Sequence, residues 1–183
     1  MTKEKTHFSI FLDTEFTHLE SNSPRLITPR LISIGLVSED GREFYVELSD
    51  NYQLQNCSDF VVQTVLPLLE GGDARMLSAQ AASRLQSWIE SFGDVEGILR
   101  TDAPRYDWTL VGELFQFYGC WPANLRRKYG TVFFHTPSQA SRYLAATASY
   151  WKDNGSRQHH ALEDARCMLF AWKFALRKGL SGK

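Results

Sequence analysis

No apolar stretch of this sequence approaches the roughly 20 residues that a membrane-spanning helix needs, so no membrane partner is expected. A secretory signal is missing too. The N-terminal segment MTKEKTHFSIFLDTEF holds one short apolar run, acids interrupt it, and no small-residue cleavage site follows. Cysteine is scarce: Cys57, Cys120 and Cys167 lie far apart and are odd in number, which gives neither metal-ligand spacing nor a disulfide frame. A reducing, cytoplasmic setting is the expectation. An excess of charge of one sign is also lacking. The formal net charge of −1 excludes a protein that coats nucleic acid through bulk electrostatics. It does not exclude an enzyme that handles the short end of a strand, where bound cations would offset part of the acidic count. Repeats, low-complexity tracts and linker-like boundaries are absent, so residues 1–183 are expected to form a single domain.

The composition is that of an ordinary globular protein, 43% hydrophobic and 22% charged. Short apolar runs predict strands at Phe8–Thr14 and Leu31–Ser38. After the turn signal Glu39-Asp40-Gly41, a third strand over Arg42–Leu48 completes a hairpin. A polar loop with Pro24 and Pro29 separates the first two strands. Ala82, Leu85, Ile89 and Phe92 recur at helical spacing, with Ser78 available as a cap. Val95–Thr101 predicts a fourth strand, and a helix follows from about Asp107 with Trp108, Val111, Phe115 and Tyr118 on one face. Thr131–Phe134 suggests a short fifth strand, and Pro137 can open a helix through Tyr150. A break at Asp153–Ser156 precedes a long helix from Ala161 to Lys178. Three early strands and then alternating helices and strands imply an α/β fold, a mixed sheet with helices packed on it.

Three acidic motifs stand out against this pattern. Asp13 and Glu15 continue the first buried strand two residues apart, so both project to one side and suit a hard cation such as Mg²⁺ or Mn²⁺. Asp102 and Asp107 follow the fourth strand in TDAPRYDW, with Pro104 forcing a turn between them. Capping explains each of these taken alone, and a hydrogen-bonding partner role is the alternative for Asp102. The third motif is His159-His160-Ala161-Leu162-Glu163-Asp164. At about 100° per residue, Asp164 shares a sector with Ala161, Ala165, Met168 and Ala171, while Glu163 falls opposite. An unpaired carboxylate on a packed face is costly, and a metal ion would resolve that cost. His159 lies within reach, and a neutral histidine beside a metal-bound water is a natural general base.

Together these motifs resemble the DEDDh-type 3′–5′ exonuclease family, which includes ribonuclease T, oligoribonuclease and polymerase proofreading subunits. The matching pieces are Asp13-Thr14-Glu15 on the first strand, Asp107 after the fourth, and His159 five residues before Asp164. The resemblance implies a ribonuclease H-like mixed β-sheet flanked by α-helices and a two-metal mechanism using two Mg²⁺ or Mn²⁺ ions. In it Asp13 bridges both ions, Glu15 and Asp164 hold the nucleophile-side ion, Asp107 supports the second, and His159 takes the proton of the attacking water. A sister branch places tyrosine four residues before the last acid. That position here is His160, and the spacing of His159 fits the histidine branch. The implied partner is a single-stranded nucleic acid 3′ end, RNA favoured over DNA, cut to nucleoside 5′-monophosphates. A homodimer follows by the same analogy. Thr14, Phe16, Arg105 and Arg157 are the candidate substrate contacts, and Phe16 is equally readable as core. Arg126-Arg127-Lys128 is the densest basic cluster, most simply a solvated surface. The loop from Glu20 to Thr28 is placed to lie over the substrate. Two other readings remain on the same fold: a non-catalytic nucleic-acid-binding module, and a phosphodiesterase for small nucleotides.

Overall fold

The computed structural model describes residues 7–20 and 28–177, so most of the loop expected over the substrate lies outside the described residues. Six strands form one sheet in the order β4-β3-β2-β1-β5-β6. They are β1 (His7–Phe16), β2 (Leu31–Ser38), β3 (Glu43–Leu48), β4 (Arg75–Met76), β5 (Glu96–Thr101) and β6 (Gly130–Thr131). β1 runs antiparallel to β2, and β2 to β3, whereas β5 lies parallel to β1 on its other side. The mixed sheet expected from the sequence is therefore present. The β2–β3 turn is closed by hydrogen bonds from Gly41 N–H to Ser38 O and from Ser38 N–H to Arg42 O, both 2.9 Å, with Gly41 at φ +88°.

Helices cover both faces. α1 (Ser78–Glu90) and α2 (Asp107–Tyr118) lie on one side, and α3 (Pro137–Asn154) and α4 (Ala161–Leu176) on the other. Alternation along β1 sends Ile10 and Leu12 into the first layer with Leu85, Ile89, Val111 and Phe115. Phe11 enters the second layer with Tyr143, Ala165, Met168 and Ala171. β2 is buried throughout, which is why it reads as a continuous apolar run and not as an alternating one. Among the described residues no helix is long and apolar enough to cross a membrane.

Several details differ from the sequence expectation. β6 is only Gly130–Thr131, because Val132 leaves the sheet for the α3–α4 layer and Phe134 stacks on Trp172 at 4.6 Å. Ser78 is the first helical residue of α1 and not its cap. The N-cap is Leu77, whose N–H donates to the Gln80 side chain at 3.2 Å, while the Ser78 hydroxyl donates to Asp50 at 2.6 Å. α3 runs on to Asn154, and a short turn over Gly155–Arg157 takes up the expected break. Residues 54–76, which carry no periodic signal, form a chain of short helical turns ending in β4. Val61 and Val65 of that segment bury against Ile32.

Candidate active site

The strand alternation that buries Phe11 also carries Asp13 and Glu15 to the α4 side of the sheet, at the end where β1 emerges. Asp13 stands opposite Gly35 of β2 in the antiparallel register. A Cβ at position 35 would overlap the backbone of Ala161 and Leu162. Glycine there lets the first turn of α4 rest directly on the sheet, and that turn carries Asp164. Asp107 comes from the opposite layer as the first residue of α2 and is 1% exposed. Its Oδ1 accepts from Thr14 N–H at 3.1 Å and from the Thr14 hydroxyl at 2.6 Å, and its Oδ2 accepts from the Thr101 hydroxyl. The threonine between the two β1 acids thus faces the other way and anchors the third.

The carboxylates gather into two groups that share Asp13. Asp13, Glu15 and Asp164 bring oxygens within 4.8 Å of one another, and so do Asp13, Asp102 and Asp107. Among the described residues no ion pair reaches any of these five acids. Their protonation reflects the crowding. Burial, and after it the charges of Asp107, Asp164, Glu15 and Asp102, hold the Asp13 carboxyl well above the usual range. Burial followed by Asp164 and Asp107 pushes Glu15 to about 9. Burial raises Asp107 to about 7 against the opposing hydrogen bonds from Thr101 and Thr14. Asp164 also rises to about 7 through burial, opposed by the His159 N–H. An oxygen-only donor set with no protein cation beside it fits a hard divalent cation.

His159 precedes α4 in the left-handed region, at φ +71°, unusual for a side chain with a Cβ. Its N–H donates to Asp164 Oδ2 at 2.9 Å, and its ring meets the edge of Phe60 at 5.0 Å. Burial lowers its pKa, so the ring is neutral at physiological pH and can accept a proton. His160 does not share this environment. It is 2% exposed, caps α4, stacks on Tyr45 at 4.5 Å and places Nε2 3.3 Å from Glu70. The histidine whose main chain is tied to Asp164 is His159, while His160 is buried against Tyr45.

With this geometry in view, a 3′-5′ exoribonuclease of Mycobacterium tuberculosis, found in two strains, is 30% identical over 172 residues, covering 87% of this chain and 88% of the relative. The chain belongs to the family of these 3′–5′ exonucleases. No family model matches it. Among solved structures, the nuclease domain of 3′hExo, a DEDDh family member bound to rAMP, superposes with a TM-score of 0.62 at 15% identity, over 94% of this chain and 93% of that one. A 3′-exonuclease seen in 3′-end specific recognition of a histone mRNA stem-loop gives 0.57 at 14% identity, over 93% of this chain and 82% of that one. These likenesses support the ribonuclease H-like fold.

In this 3′–5′ exonuclease the remaining substrate candidates take different positions. Thr14 is turned into the protein to hold Asp107, and its side chain faces away from the α4 side of the sheet. Phe16 is half-buried, packs against the first-layer core and stacks on Tyr106 at 4.7 Å. Arg105 is paired with Glu20, and Arg157 with Glu70 at 3.0 Å. Arg126 pairs with Glu96, and Arg127 lies over the Trp121 ring, which ties the basic cluster to its own fold. Sequence reasoning missed Thr101, which sits at the β5 end one residue before Asp102, and Phe60, which lies in a segment without periodicity and has no sequence signal.

Proposed function

We propose that this chain is a metal-dependent exoribonuclease that removes nucleoside 5′-monophosphates from single-stranded RNA 3′ ends, using two Mg²⁺ or Mn²⁺ ions. The observation that carries this reading is the pair of carboxylate triads sharing Asp13. The RNA preference is supported by the name of the mycobacterial exoribonuclease and by the rAMP bound to the 3′hExo nuclease domain. Glu15 and Asp164 would hold one cation, Asp107 the other, and Asp13 both. When bound, such cations supply positive charge to the attacking and leaving oxygens of an in-line displacement. His159 accepts the proton of the attacking water, and its neutral state and left-handed presentation beside Asp164 suit that task. Phe16 and the exposed face of Phe60 offer aromatic surface for the terminal base. Arg105 and Arg157 would exchange their acidic partners for phosphates. By analogy with small nucleases of this type, the enzyme works in the cytoplasm as a homodimer, which sedimentation would test.

The direct experiment is a time course on matched 5′-labelled single-stranded RNA and DNA with Mg²⁺, Mn²⁺ or chelator. A metal-dependent ladder that shortens from the 3′ end, faster on RNA, is expected. Equal rates on DNA would remove the RNA preference. Activity confined to dinucleotides would move the assignment to a small-nucleotide phosphodiesterase.

His159→Ala is expected to lower kcat by about 10²–10⁴-fold, the range for losing a general base, with Mn²⁺ affinity nearly unchanged. A parallel collapse of metal affinity would make His159 a ligand or a structural residue instead.

A further inference from the structure

Asp102 stands beside Asp13 and Asp107, a place that a turn-capping residue does not need. β1 and β5 run parallel, with Phe11 paired to Arg100. Two residues further along stand Asp13, still within β1, and Asp102, the first residue past the end of β5, so the parallel pairing brings the two carboxylates side by side. The Asp102 oxygen lies within 4.8 Å of both the Asp13 and the Asp107 oxygens. At that spacing three ionised carboxylates repel one another, and either a cation between them or protonation relieves it. Among the described residues no side chain donates a hydrogen bond to Asp102 and no cation pairs with it. Only the N–H groups of Asp102 itself and Ala103 approach its carboxylate.

The state of Asp107 strengthens the case. An ionised carboxylate offers about four lone-pair sites, and three at Asp107 are engaged by Thr14 N–H, Thr14 Oγ1 and Thr101 Oγ1. Asp107 is thus fixed in position but left with little to give an ion. On the other side of Asp13, Glu15 and Asp164 complete a set of three acids. Without Asp102 the second side would have Asp13 and a largely saturated Asp107.

We propose that Asp102 is a fifth carboxylate of the metal centre and a direct ligand, with Asp13 and Asp107, for the cation on the side away from Glu15 and Asp164. The assignment rests on the two-cation reading given above. In it Asp107 chiefly fixes geometry, and Asp102, exposed and without a side-chain donor, supplies the oxygen that is free for the ion.

The test is Mn²⁺ binding followed by calorimetry and by the spin resonance of free Mn²⁺, with a nucleoside 5′-monophosphate present. Wild type, Asp102→Asn, Asp102→Glu, Asp164→Asn and Asp13→Asn are compared. Wild type is expected to take up two ions. Asp102→Asn should weaken one by at least about tenfold, through loss of one charged ligand, and leave the other unchanged. Asp164→Asn should weaken the other ion, and Asp13→Asn both. Asp102→Glu, which keeps the charge, should retain more of the affected affinity than Asp102→Asn. Two unaltered sites in Asp102→Asn, or equal losses in Asp102→Asn and Asp102→Glu, would overturn the role of Asp102 while leaving the two-cation centre standing. A wild type that binds fewer than two ions, or an Asp13→Asn variant that keeps both, would overturn that underlying reading and the role of Asp102 with it.

Discussion

Asp13→Asn is expected to abolish cleavage, by about 10³-fold or more, a loss of at least about 4 kcal/mol of transition-state stabilisation, while the metal-free protein becomes more stable. Asp13 is the one acid common to both triads, so removing its charge weakens both ion sites at once. Asparagine has nearly the same shape, and the Phe11 and Leu12 packing that precedes it is untouched. The stability gain follows from the sign of the pKa shifts. Asp13 is raised by burial and by four neighbouring acids, Glu15 is raised to about 9, and Asp107 and Asp164 to about 7. A carboxyl whose folded pKa lies above its unfolded value of about 4 favours the protonated folded state. That stability is fully present below about pH 4 and is lost as pH rises through the folded values. The metal-free wild type should therefore melt at progressively lower temperature from about pH 5 to pH 9. Asp13→Asn should melt higher, by about 2–4 °C for each kcal/mol of relieved repulsion in a chain of this size, and with a shallower pH dependence. Saturating Mg²⁺ should raise the wild-type curve and flatten it, because the cation binds the folded carboxylates in their ionised form. Paired melting series with chelator and with Mg²⁺ check this. Wild-type turnover in Asp13→Asn, or a chelated melting temperature indifferent to pH, would sink it.

The acids that carry these shifts were legible in the sequence for a specific reason. Asp13 and Glu15 interrupt a strand that must be buried, and Asp164 falls on a helix face that must pack, so each contradicts its local pattern. Taken alone, Asp107 was legible as a cap, because an aspartate opening a helix has an ordinary explanation, and only the joint resemblance of the motifs marked it as a metal-supporting acid. Its role as the acid held by Thr14 and Thr101 depends on β1, β5 and α2 meeting in space. Asp102 was left open for the same reason, since its neighbour Asp13 is distant in sequence and close only through the parallel pairing of β1 and β5. The sheet was readable where strands are long and apolar. β4 was not, because two residues carry no period, and β6 was found only in place, with its expected extent of Thr131–Phe134 reduced to Gly130–Thr131. The turns over residues 54–76, which bring Phe60 to His159 and Glu70 to His160, likewise follow contacts made by other elements. Arg105 and Arg157 flank the motifs as expected, but their pairing with Glu20 and Glu70 could not be read from position alone.

Gly35→Ala is expected to cost more stability than any single change among the site acids, and to take activity with it. Position 35 lies at the centre of the fully buried strand β2, opposite Asp13, and the added methyl would collide with main-chain atoms of Ala161 and Leu162. A flexible side chain could swing aside, but the first turn of a helix cannot. Relief requires α4 to lift from the sheet or β2 to shift within it. Overpacking a core with some give costs about 1–3 kcal/mol. A collision of the methyl with main-chain atoms should exceed that, lowering the melting temperature by more than about 8 °C. The same displacement reaches the chemistry directly. Asp164 and His159 travel with the start of α4 while Asp13 and Glu15 stay on β1, and a misplacement of about 1 Å between reacting groups can cost about 10²-fold in rate. Gly97→Ala is the control. It also lies in a buried strand, but its new methyl would meet side-chain carbons of Ile10, Leu125 and Phe8 at 3.5–3.7 Å, an ordinary contact distance. Thermal melts and RNA-cleavage rates of the two variants should separate clearly, with Gly97→Ala close to wild type. If Gly35→Ala matched Gly97→Ala in both, the docking of α4 on Gly35 would not be what sets the distance between the strand acids and the helix acid.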